Sequence, residues 1–549
     1  MSILPPEPPY HDAHDLIQWK KLKQLFELIP EFATFSGYHA FDHRLSRADR
    51  EGIEAEFQFL HRWLTELRQT PADQLTEDQQ FDRSLFEHYF AQQAFYYREL
   101  RTWERNPDAV SGIGQIIFLT LLYEHGKAEE RFANLAGRLE AFPQYLHQFR
   151  SRMATPPRRW RDLAIQTAQS MPHFFDAITA AAEGHISARL MTRLQKAVIQ
   201  VKALIAEYGI WLTGITVDEK ESWVLGPEHF AELIRLRALD LTVNDILELG
   251  KTSLARYQDE QRRLAIQLVG TPDIAAAKAM IEADAPRTFA DALATTRHAC
   301  EEARRFIQTL QLMDVPPEEQ LHIVETPKFL RTFVPFAAIF PPAKCHRIQT
   351  STYVVTPSNN PALLRKHLNH TSIYNTAIHE AYPGHHLQLA TANREVSFLR
   401  SAPFVGGKPA EYVEGWAHYC EELMKTHGFH NTPAGRFVMV SDLVWRATRI
   451  IVDVELSQGS MTYDQGVAML IEHAHLSREG AEAEVNRYTY SPGYQLSYLI
   501  GKHLIMRLKE DLQRRDGAEF SEKDFHNRFL RAGSIPLSLL RRRIFGLAE

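Results

Sequence analysis

The sequence predicts a large, mainly α-helical protein with one small β-sheet beside a deep cleft. Apolar residues recur at helical spacing through most of the chain, and helix-start motifs precede several of these stretches. Residues 320–357 instead contain β-branched and aromatic runs bounded by prolines. We find no linker and no fixed-period repeat, so we expect one unit over residues 1–549. Its residues 1–315 are predicted to be helical, and residues 316–549 to hold the sheet and the remaining helices.

Length and composition exclude several classes of protein. The 549 residues carry a net charge of −6 with a pI of about 6.5, so no basic field favours nucleic acid or anionic lipid. The three cysteines form no CxxC pair and predict no disulfide framework. The N-terminus lacks a signal-peptide pattern, and the longest apolar run, Val110 to Tyr123, is shorter than the ~20 residues of a membrane helix. We expect a cytoplasmic protein without nucleic-acid or membrane partners; its oligomeric state is not predicted.

The first half of the chain reads as consecutive helices. Residues 1–15 are proline-rich and predict an extended arm. Ser46–Asp49 and Thr76–Gln79 resemble capping boxes, Thr242–Asp245 marks a further helix start, and the aromatic stripe Phe95–Tyr97 is predicted to pack in the core. After a first helical region from about residue 46, the predicted segments are 111–152, 159–183, 187–210, 227–267 and 273–313.

Three short runs predict the strands of a small sheet: Leu321–Glu325, Phe333–Phe340 and Thr352–Thr356. Pro335 suits an edge strand because it has no N–H to donate to a neighbouring strand. An open sheet edge can hold an extended peptide by backbone hydrogen bonds. The position of the sheet, immediately before a histidine- and glutamate-rich stretch, therefore points to a place where a peptide could bind.

Helices resume after residue 371. Thr462–Gln465 is a capping box, and Ser491–Pro492 has the residue types of an N-cap followed by the first helical position. The predicted segments are 371–399, 408–427, 433–459, 462–475, 478–488, 491–515 and 521–532.

The chemistry-bearing stretch begins at His379 and Glu380 and continues to the pair His385–His386. Imidazoles and carboxylates are the ligands of catalytic zinc. On a regular helix, however, His379 and His385 would lie about 240° apart, and His379 and His386 about 10 Å apart along the axis. We expect Pro383–Gly384 to distort the helix, because proline cannot donate to the preceding turn and glycine has extra backbone freedom. The distortion would bring His385 to His379 as a second metal ligand, with His386 donating a hydrogen bond to the site or its substrate.

A second helix supplies the third candidate ligand. Glu414, His418 and Glu421 are spaced i, i+4 and i+7 and therefore share one face. Glu414 is the expected ligand of a single zinc ion, while His418 could equally be a neighbour of the site or a buried histidine. The alternative is that all three are solvated polar residues of an ordinary helix.

Tyrosines near residue 490 are candidates for stabilising negative charge on a substrate oxygen. Tyr494 and Tyr498 are one helical turn apart, and Tyr488 precedes them. A phenol aimed at the polarised carbonyl would stabilise the developing oxyanion. The alternative is that these side chains only pack.

Two arginines in the same region could bind substrate. Arg487 could hold a substrate carboxylate in a bidentate manner, and Arg449 is a weaker candidate for the same role. The alternatives are ion pairs within the protein, between Arg487 and Glu484 or Glu482 and between Arg449 and Asp453.

The C-terminal half resembles the bacterial family called domain of unknown function 885, which is itself similar to gluzincin metallopeptidases. The resemblance is carried by residues 379–388, 414–421, 449–453, 484–488 with 492–493, and 533–537. It implies a gluzincin-like helical fold with a zinc-dependent hydrolytic site at His379, Glu380, His385 and Glu414. The family commonly has a histidine where this chain has Ser457, which puts the role of that position, and with it the substrate preference, in doubt.

Together these residues predict a zinc-dependent hydrolase that cleaves peptide bonds of short peptides. Glu380 would take the proton of the metal-activated water, and a tyrosine would stabilise the intermediate. One alternative is a non-catalytic scaffold that binds a peptide or partner at a degenerate metal site. Another is a hydrolase of a non-peptide amide metabolite. The substrate and the end from which it is cleaved are not predicted.

Overall fold

A computed structural model gives the fold of the chain. It describes residues 13–123, 125–326, 331, 334, 337–358, 360–395, 397, 400 and 409–547. The predicted fold class is confirmed, because the described residues are mainly helical and contain one three-stranded sheet. No single described helix is long and apolar enough to cross a membrane; one pair, Val243–Val269 with Ile274–Ala283, meets that test only jointly and across a 56° bend.

The helices that precede the sheet form the larger part of the molecule. Within the described residues they are α1 (Ala13–Leu28), α2 (Pro30–Ser36), α3 (Arg50–Gln69), α4 (Glu77–Phe95), α5 (Thr102–Arg105), α6 (Ser111–Leu122), α7 (Ala128–Arg152), α8 (Arg158–Ser170), α9 (Pro172–Ala182), α10 (Ala188–Gly214), α11 (Gly226–Leu236), α12 (Val243–Val269), α13 (Ile274–Ala283) and α14 (Phe289–Thr309).

The sheet has the strand order β1–β3–β2, where β1 is Glu319–Glu325, β2 is Ala337–Phe340 and β3 is Gln349–Val355. β1 runs parallel to β3, with Glu319 opposite Gln349, and β2 runs antiparallel to β3. The prediction of three strands is confirmed. The start of the predicted second strand, including Pro335, lies outside the described residues.

The helices that follow the sheet carry the candidate site. They are α15 (Pro361–Leu368), α16 (His370–Glu380), α17 (His385–Glu395), α18 (Ala410–Thr426), α19 (Pro433–Gln458), α20 (Tyr463–Ala474), α21 (Arg478–Tyr490), α22 (Ser497–Asp516), α23 (Glu522–Arg531) and α24 (Leu537–Arg543).

Three of the five helix starts predicted from local side-chain chemistry are confirmed, and two are wrong. The capping boxes at Thr76 and Thr462 and the helix start at Thr242 are confirmed, since each hydroxyl accepts from the backbone N–H three residues on. The start predicted at Ser46 is wrong, because the cap of α3 is Asp49. The start predicted at Ser491 is also wrong, because this residue ends α21 and α22 begins only at Ser497.

Four of the predicted N-terminal segments each contain two helices rather than one. Residues 111–152, 159–183, 227–267 and 273–313 correspond to the pairs α6–α7, α8–α9, α11–α12 and α13–α14. Pro172 begins a new helix, because a proline inside one would leave a carbonyl unsatisfied. Ala238 and Asp240 have positive φ, which ends α11.

Two smaller expectations for the N-terminal half hold only in part. Of the predicted extended arm, residues 1–12 lie outside the described residues, and residues 13–15 already belong to α1. In the aromatic stripe, Phe95 is buried but Tyr96 is 37% exposed, because the chain there widens into a π-turn at the end of α4.

The core that supports the site is assembled from both ends of the chain. One cluster of buried apolar side chains contains Phe26 and Phe86 from the N-terminal helices together with Tyr353, Trp416 and Phe529. The rings of Trp416 and Phe529 stack with centroids 4.9 Å apart. Helices α16 and α18, which bear the candidate ligands, are therefore anchored in well-packed surroundings.

Candidate metal centre

The chain departs from a regular helix between the two candidate histidine ligands. Helix α16 ends at Glu380, α17 begins at His385, and four residues with a cis Tyr382–Pro383 peptide bond join them. Instead of continuing the helical ladder, the backbone N–H of Gly384 donates to the carbonyl of Ile378 at 3.0 Å. The break expected at Pro383–Gly384 is confirmed, and it spans the whole turn from residue 381 to 384.

Only glycine fits at position 384. A Cβ atom there would lie 1.8 Å from the carbonyl oxygen of His379 and 2.4 Å from that of Ile378. The turn is also held from outside, because the indole N–H of Trp416 on α18 donates to the carbonyl of Pro383 at 2.8 Å. The turn and the second helix are thus fixed relative to each other.

This geometry brings His379, His385 and Glu414 together. Glu414 Oε2 lies 3.8 Å from His379 Nε2 and 3.5 Å from His385 Nε2, and the two rings are nearly perpendicular with centroids 4.7 Å apart. One ligand atom from each of the three residues lies within 4.8 Å of the others. Tetrahedral zinc with bonds of about 2.0–2.1 Å separates its ligand atoms by about 3.3 Å. The donor set and its spacing therefore fit a single zinc ion.

Glu421 orients the first of these histidines. Its Oε1 lies 2.8 Å from His379 Nδ1, and its Oε2 accepts from the Asn375 side chain at 3.1 Å. A carboxylate on one ring nitrogen leaves the other nitrogen, here Nε2, available for a metal. Sequence reasoning placed Glu421 on the right face of α18 but missed its contact. Asn375, one turn before His379 on the same helix, could have been found from that spacing.

Close helix packing positions α18. A Cβ on Gly415 would lie 2.4–2.5 Å from the backbone of Gly501 on α22, so the two helices can approach this closely only with glycine at the contact. The expectation that Glu414, His418 and Glu421 share a face is confirmed, because all three lie beside His379. Glu414 and Glu421 flank this histidine, and the ring centroid of His418 lies 4.9 Å from that of His379.

His418 is a neighbour of the site whose ring nitrogens face other groups. Arg446 Nε donates to His418 Nε2 at 3.2 Å, and His418 Nδ1 lies 3.2 Å from Glu421 Oε1 without hydrogen-bond geometry. Burial lowers the pKa of His418 to about 4 despite the nearby Glu421. His379, His418 and Glu421 also lie close enough together to form a second possible ligand set. The contacts just described explain why these three side chains are close without a metal ion. The 2.8 Å separation of His379 and Glu421 is a hydrogen bond and is too short for two ligands of one ion.

The electrostatics of the centre favour a cation. Burial alone would raise the pKa of Glu414, but the contact with His385 and the charges of the histidines hold it at about 2. Burial alone would lower the pKa of His379, yet the hydrogen bond to Glu421 and the charges of Glu380 and Glu414 raise it to about 9. The metal-free site thus favours an ionised Glu414 beside a protonated His379, and a bound metal would replace that proton.

Glu380 follows the first ligand directly and ends α16. Its side chain is partly buried and makes no hydrogen bond or ion pair with any other described residue. A carboxylate beside the ligand set with no protein partner is suited to exchange protons with water or substrate.

The three candidate tyrosines differ in their surroundings. The hydroxyl of Tyr494 donates to Glu414 Oε1 at 3.1 Å, on the oxygen that faces away from the histidines. Tyr498 lies 6.2 Å from it between ring centroids, and within the described part of the chain its hydroxyl makes no hydrogen bond. Tyr488 is buried and donates to Glu484 at 2.7 Å. Two of the three therefore lie next to the ligand set, and the third is committed to another contact.

The two candidate arginines belong to a network around Glu484. Arg449 lies 2.8 Å from this carboxylate, and Arg487 lies 3.3 Å from it and 2.9 Å from Gln495. The alternative in which Arg449 pairs with Asp453 is wrong, because Arg449 pairs with Glu484. Asp453 instead accepts from the backbone N–H groups of Gly493 and Gln495.

The role of Ser457 follows from its contact with Asp453. Its hydroxyl donates to Asp453 at 3.2 Å, inside α19, and the side chain is buried. Ser457 therefore helps hold the turn that carries Tyr494.

His386 points away from the ligand set, towards the sheet. It is fully buried, with Nδ1 2.8 Å from the Ser351 hydroxyl and Nε2 2.6 Å from Glu319. Tyr382 also donates to Glu319, at 2.7 Å. His386 thus ties the turn and α17 to β1 and β3, while the adjacent His385 faces Glu414.

A second histidine cluster, which sequence reasoning missed, lies far from this centre in the chain. His39 Nδ1 is 2.8 Å from Asp42, His39 Nε2 is 2.9 Å from His346, and the His39 and His125 rings stack 3.3 Å apart and 3° from parallel. An ion must lie in the plane of each imidazole that binds it, so two stacked rings in parallel planes cannot share one. We interpret this cluster as a buried hydrogen-bond network.

A cavity of about 640 Å³ adjoins the candidate metal centre, and both Glu414 and Tyr494 line it. Pockets for small ligands commonly occupy about 300–1,000 Å³. The cavity walls are mainly apolar and come from both halves of the chain.

Comparison with known proteins shows the family of the chain and its fold. Two solved structures share the fold over nearly the whole length. One, described as "a putative lipoprotein of unknown function" from Shewanella oneidensis, is 22% identical, with a TM-score of 0.77, and the match covers 96% of this chain and 98% of that one. The other, from Colwellia psychrerythraea and also described as a "putative lipoprotein", is 17% identical, with a TM-score of 0.81, and the match covers 97% and 98%. The cytoplasmic location expected from the sequence has no support from these descriptions and stays a prediction.

No curated protein matches the chain. The profile of the family described as "Bacterial protein of unknown function (DUF885)" matches residues 30–544. The chain therefore belongs to the bacterial DUF885 family.

Proposed function

We propose that this protein is a zinc-dependent hydrolase that cleaves amide bonds of short peptides at a gluzincin-like site. The observation that carries the proposal is the convergence of His379 Nε2, His385 Nε2 and Glu414 Oε2 across a broken helix, at separations suited to one tetrahedral ion. Three protein ligands leave a fourth position free, which is the pattern of catalytic rather than structural zinc sites.

Each remaining group then has a role. Zinc, when bound, would supply the Lewis acid that polarises the scissile carbonyl and lowers the pKa of water. Glu380 takes a proton from the attacking water and returns it to the leaving amine. Tyr494, whose hydroxyl donates to Glu414, would turn this donor to the carbonyl oxygen as negative charge develops there. Glu421 holds the ring of His379 in the orientation that directs Nε2 to the site.

The cavity supports a small substrate. Its volume of about 640 Å³ and its mainly apolar walls suit a short peptide better than a folded protein. Arg487 and Arg449 are engaged with Glu484 and would have to exchange that partner to bind a substrate carboxylate.

The test combines metal content with activity. We expect one zinc ion per chain and hydrolysis of members of a dipeptide and tripeptide panel. The Glu380→Gln variant should keep its zinc and lose about 10²–10⁴-fold in kcat, because only the proton transfer is removed. Glu422→Gln is a matched control, since its carboxylate faces Lys502 and Arg436 instead.

Three results would count against the proposal. Normal turnover by Glu380→Gln would refute the mechanism. Peptide binding that a chelator does not affect, with no hydrolysis of any panel member, would favour a non-catalytic scaffold. Cleavage of a small amide from a cell extract, with all peptides untouched, would replace the substrate class.

A further inference from the structure

The cavity beside the metal centre contains a second polar region, separate from the metal ligands. Glu31 from α2, Glu56 from α3 and Arg152 at the end of α7 line it together with Glu414 and Tyr494. Neither Glu31 nor Glu56 makes a polar contact with the candidate ligands among the described residues. Between the two polar regions the walls carry side chains such as Phe32, Ile113 and Val413.

The charges of this second region are incompletely paired. Glu31 Oε1 accepts from the backbone N–H and hydroxyl of Ser46, at 3.0 and 3.2 Å, but its buried Oε2 has no partner. Within the described part of the chain, Glu56 makes no hydrogen bond or ion pair. Buried polar atoms without partners are costly, so a bound hydrogen-bond donor that satisfies them would be stabilised.

Arg152 does not neutralise the two carboxylates. Its Nη1 donates to the carbonyl of Ala48 at 2.9 Å, its guanidinium lies over the ring of Phe149, and its buried Nε has no partner. No ion pair joins it to Glu31 or Glu56 in the described structure. Two carboxyl groups and one guanidinium therefore line this region without pairing. Burial and the neighbouring Glu31 raise the pKa of Glu56 to about 8, against the opposing influence of Arg152, so that a cation bound beside Glu56 would favour its ionised form.

We propose that this part of the cavity binds a primary ammonium group of the substrate, separated from the cleaved amide by an apolar portion of the molecule. An ammonium has three N–H donors and can satisfy Glu31 Oε2 and Glu56 together. The apolar walls cover the intervening segment, and the amide reaches Glu414 and Tyr494. The free amino terminus of a short apolar peptide has this chemistry. The inference rests on the proposed function for the reaction, but ammonium binding itself does not require hydrolysis.

The first test is therefore binding. Calorimetric titration of the zinc-loaded and metal-stripped protein with n-hexylamine, n-hexanol and n-hexanoate separates charge from apolar contact. We expect hexylamine to bind at least tenfold more tightly than the other two in both forms. Glu31→Gln and Glu56→Gln should each remove most of that preference and leave hexanol binding unchanged.

The control is Glu27→Gln, which removes an exposed carboxylate of α1 that pairs with Arg44 and does not line the cavity. It should bind hexylamine like the unmodified protein. Because Glu56 has no protein partner, its variant is expected to fold even if the Glu31 variant does not. Preference for hexanoate, or hexylamine binding that both cavity variants retain, would overturn the inference.

A second test uses matched apolar tripeptides with a free or an acetylated amino terminus. We expect at least a tenfold higher kcat/KM for the free form, and Glu56→Gln should reduce this ratio by raising KM for the free form alone. Ammonium binding without any hydrolysis would refute the proposed function and leave this inference standing. Equal hydrolysis of both peptides without ammonium binding would refute this inference and leave the proposed function standing.

Discussion

Replacing Gly384 by alanine tests the geometry on which the metal centre depends. The new Cβ would lie 1.8 Å from the carbonyl oxygen of His379, whereas Cβ atoms in proteins essentially never approach closer than 3.0 Å. The contact atom is backbone and cannot rotate away, so the His379 carbonyl or the turn must shift by more than 1 Å. That residue also carries the first candidate ligand.

The magnitude follows from the size of this shift. Forcing extra volume into a packed region costs about 1–3 kcal/mol, and a clash with backbone lies at the upper end. Metal–ligand distances tolerate changes of only about 0.2 Å, so zinc affinity should fall at least about 100-fold, which is the upper end of what loss of an orienting contact costs. Position 384 has a negative φ, so the loss comes from lack of space and not from backbone preference.

Zinc affinity is measured by competition with a chromogenic chelator, and folding by urea unfolding of the metal-free protein. Gly214→Ala is the control, because a Cβ there meets nothing within 4 Å. It should leave zinc affinity unchanged and should not lower the free energy of unfolding, because alanine is favoured over glycine in a helix. Zinc affinity equal to that of the unmodified chain in Gly384→Ala would refute the account of the broken helix.

Three further predictions concern hydrogen bonds and protonation. Tyr494→Phe should lower kcat by about 10²-fold at unchanged zinc content, because a donor to the developing oxyanion is lost. Glu421→Gln should lower the pKa of His379 in the metal-free protein from about 9 towards its ordinary value, as followed by NMR titration, because the main group that raises it loses its charge. Burial and His39 lower the pKa of His346 to about 4, below its unfolded value, so the unfolded chain takes up the proton first and stability is lost as pH falls from about 6.5 to 4. Between pH 7 and 5 the share of His346 in this loss is about 2 kcal/mol in urea unfolding, and His346→Gln should reduce the total loss by that amount, while other buried histidines such as His418 keep theirs.

A specific result would contradict each of these three predictions. Tyr490→Phe is the control for the phenol, since its hydroxyl faces Trp160, and equal kcat values for the two variants would assign no role to Tyr494. An unchanged His379 titration in Glu421→Gln would show that the 2.8 Å contact does not govern that ring. A pH dependence of stability that is the same in His346→Gln as in the unmodified chain would show that His346 does not contribute to it.

Local chemistry explains what could be predicted from the sequence. Helical periodicity and the capping boxes at Thr76, Thr242 and Thr462 depend on residues within one turn, and all three starts are confirmed. The break between His379 and His385 could be predicted for the same reason, because proline and glycine act on the backbone at their own position.

Features that depend on distant contacts could not be predicted. Ser491 has the residue type of a helix start, but Asp453, nearly forty residues earlier, accepts the N–H groups of Gly493 and Gln495 and fixes a turn there. The contact of Glu421 with His379 required the relative placement of α16 and α18. The histidine cluster joins His39 to His346, more than three hundred residues away.

Anomalous diffraction at the zinc edge from zinc-loaded crystals tests the central claim most directly. We predict one peak per chain, within about 2.0–2.2 Å of His379 Nε2, His385 Nε2 and a Glu414 oxygen. His379 Nδ1 should remain hydrogen-bonded to Glu421, with His386 still directed at the sheet. A crystal without a peak at these three atoms, or a peak bound by His418 and Glu421 instead, would contradict the proposed metal centre.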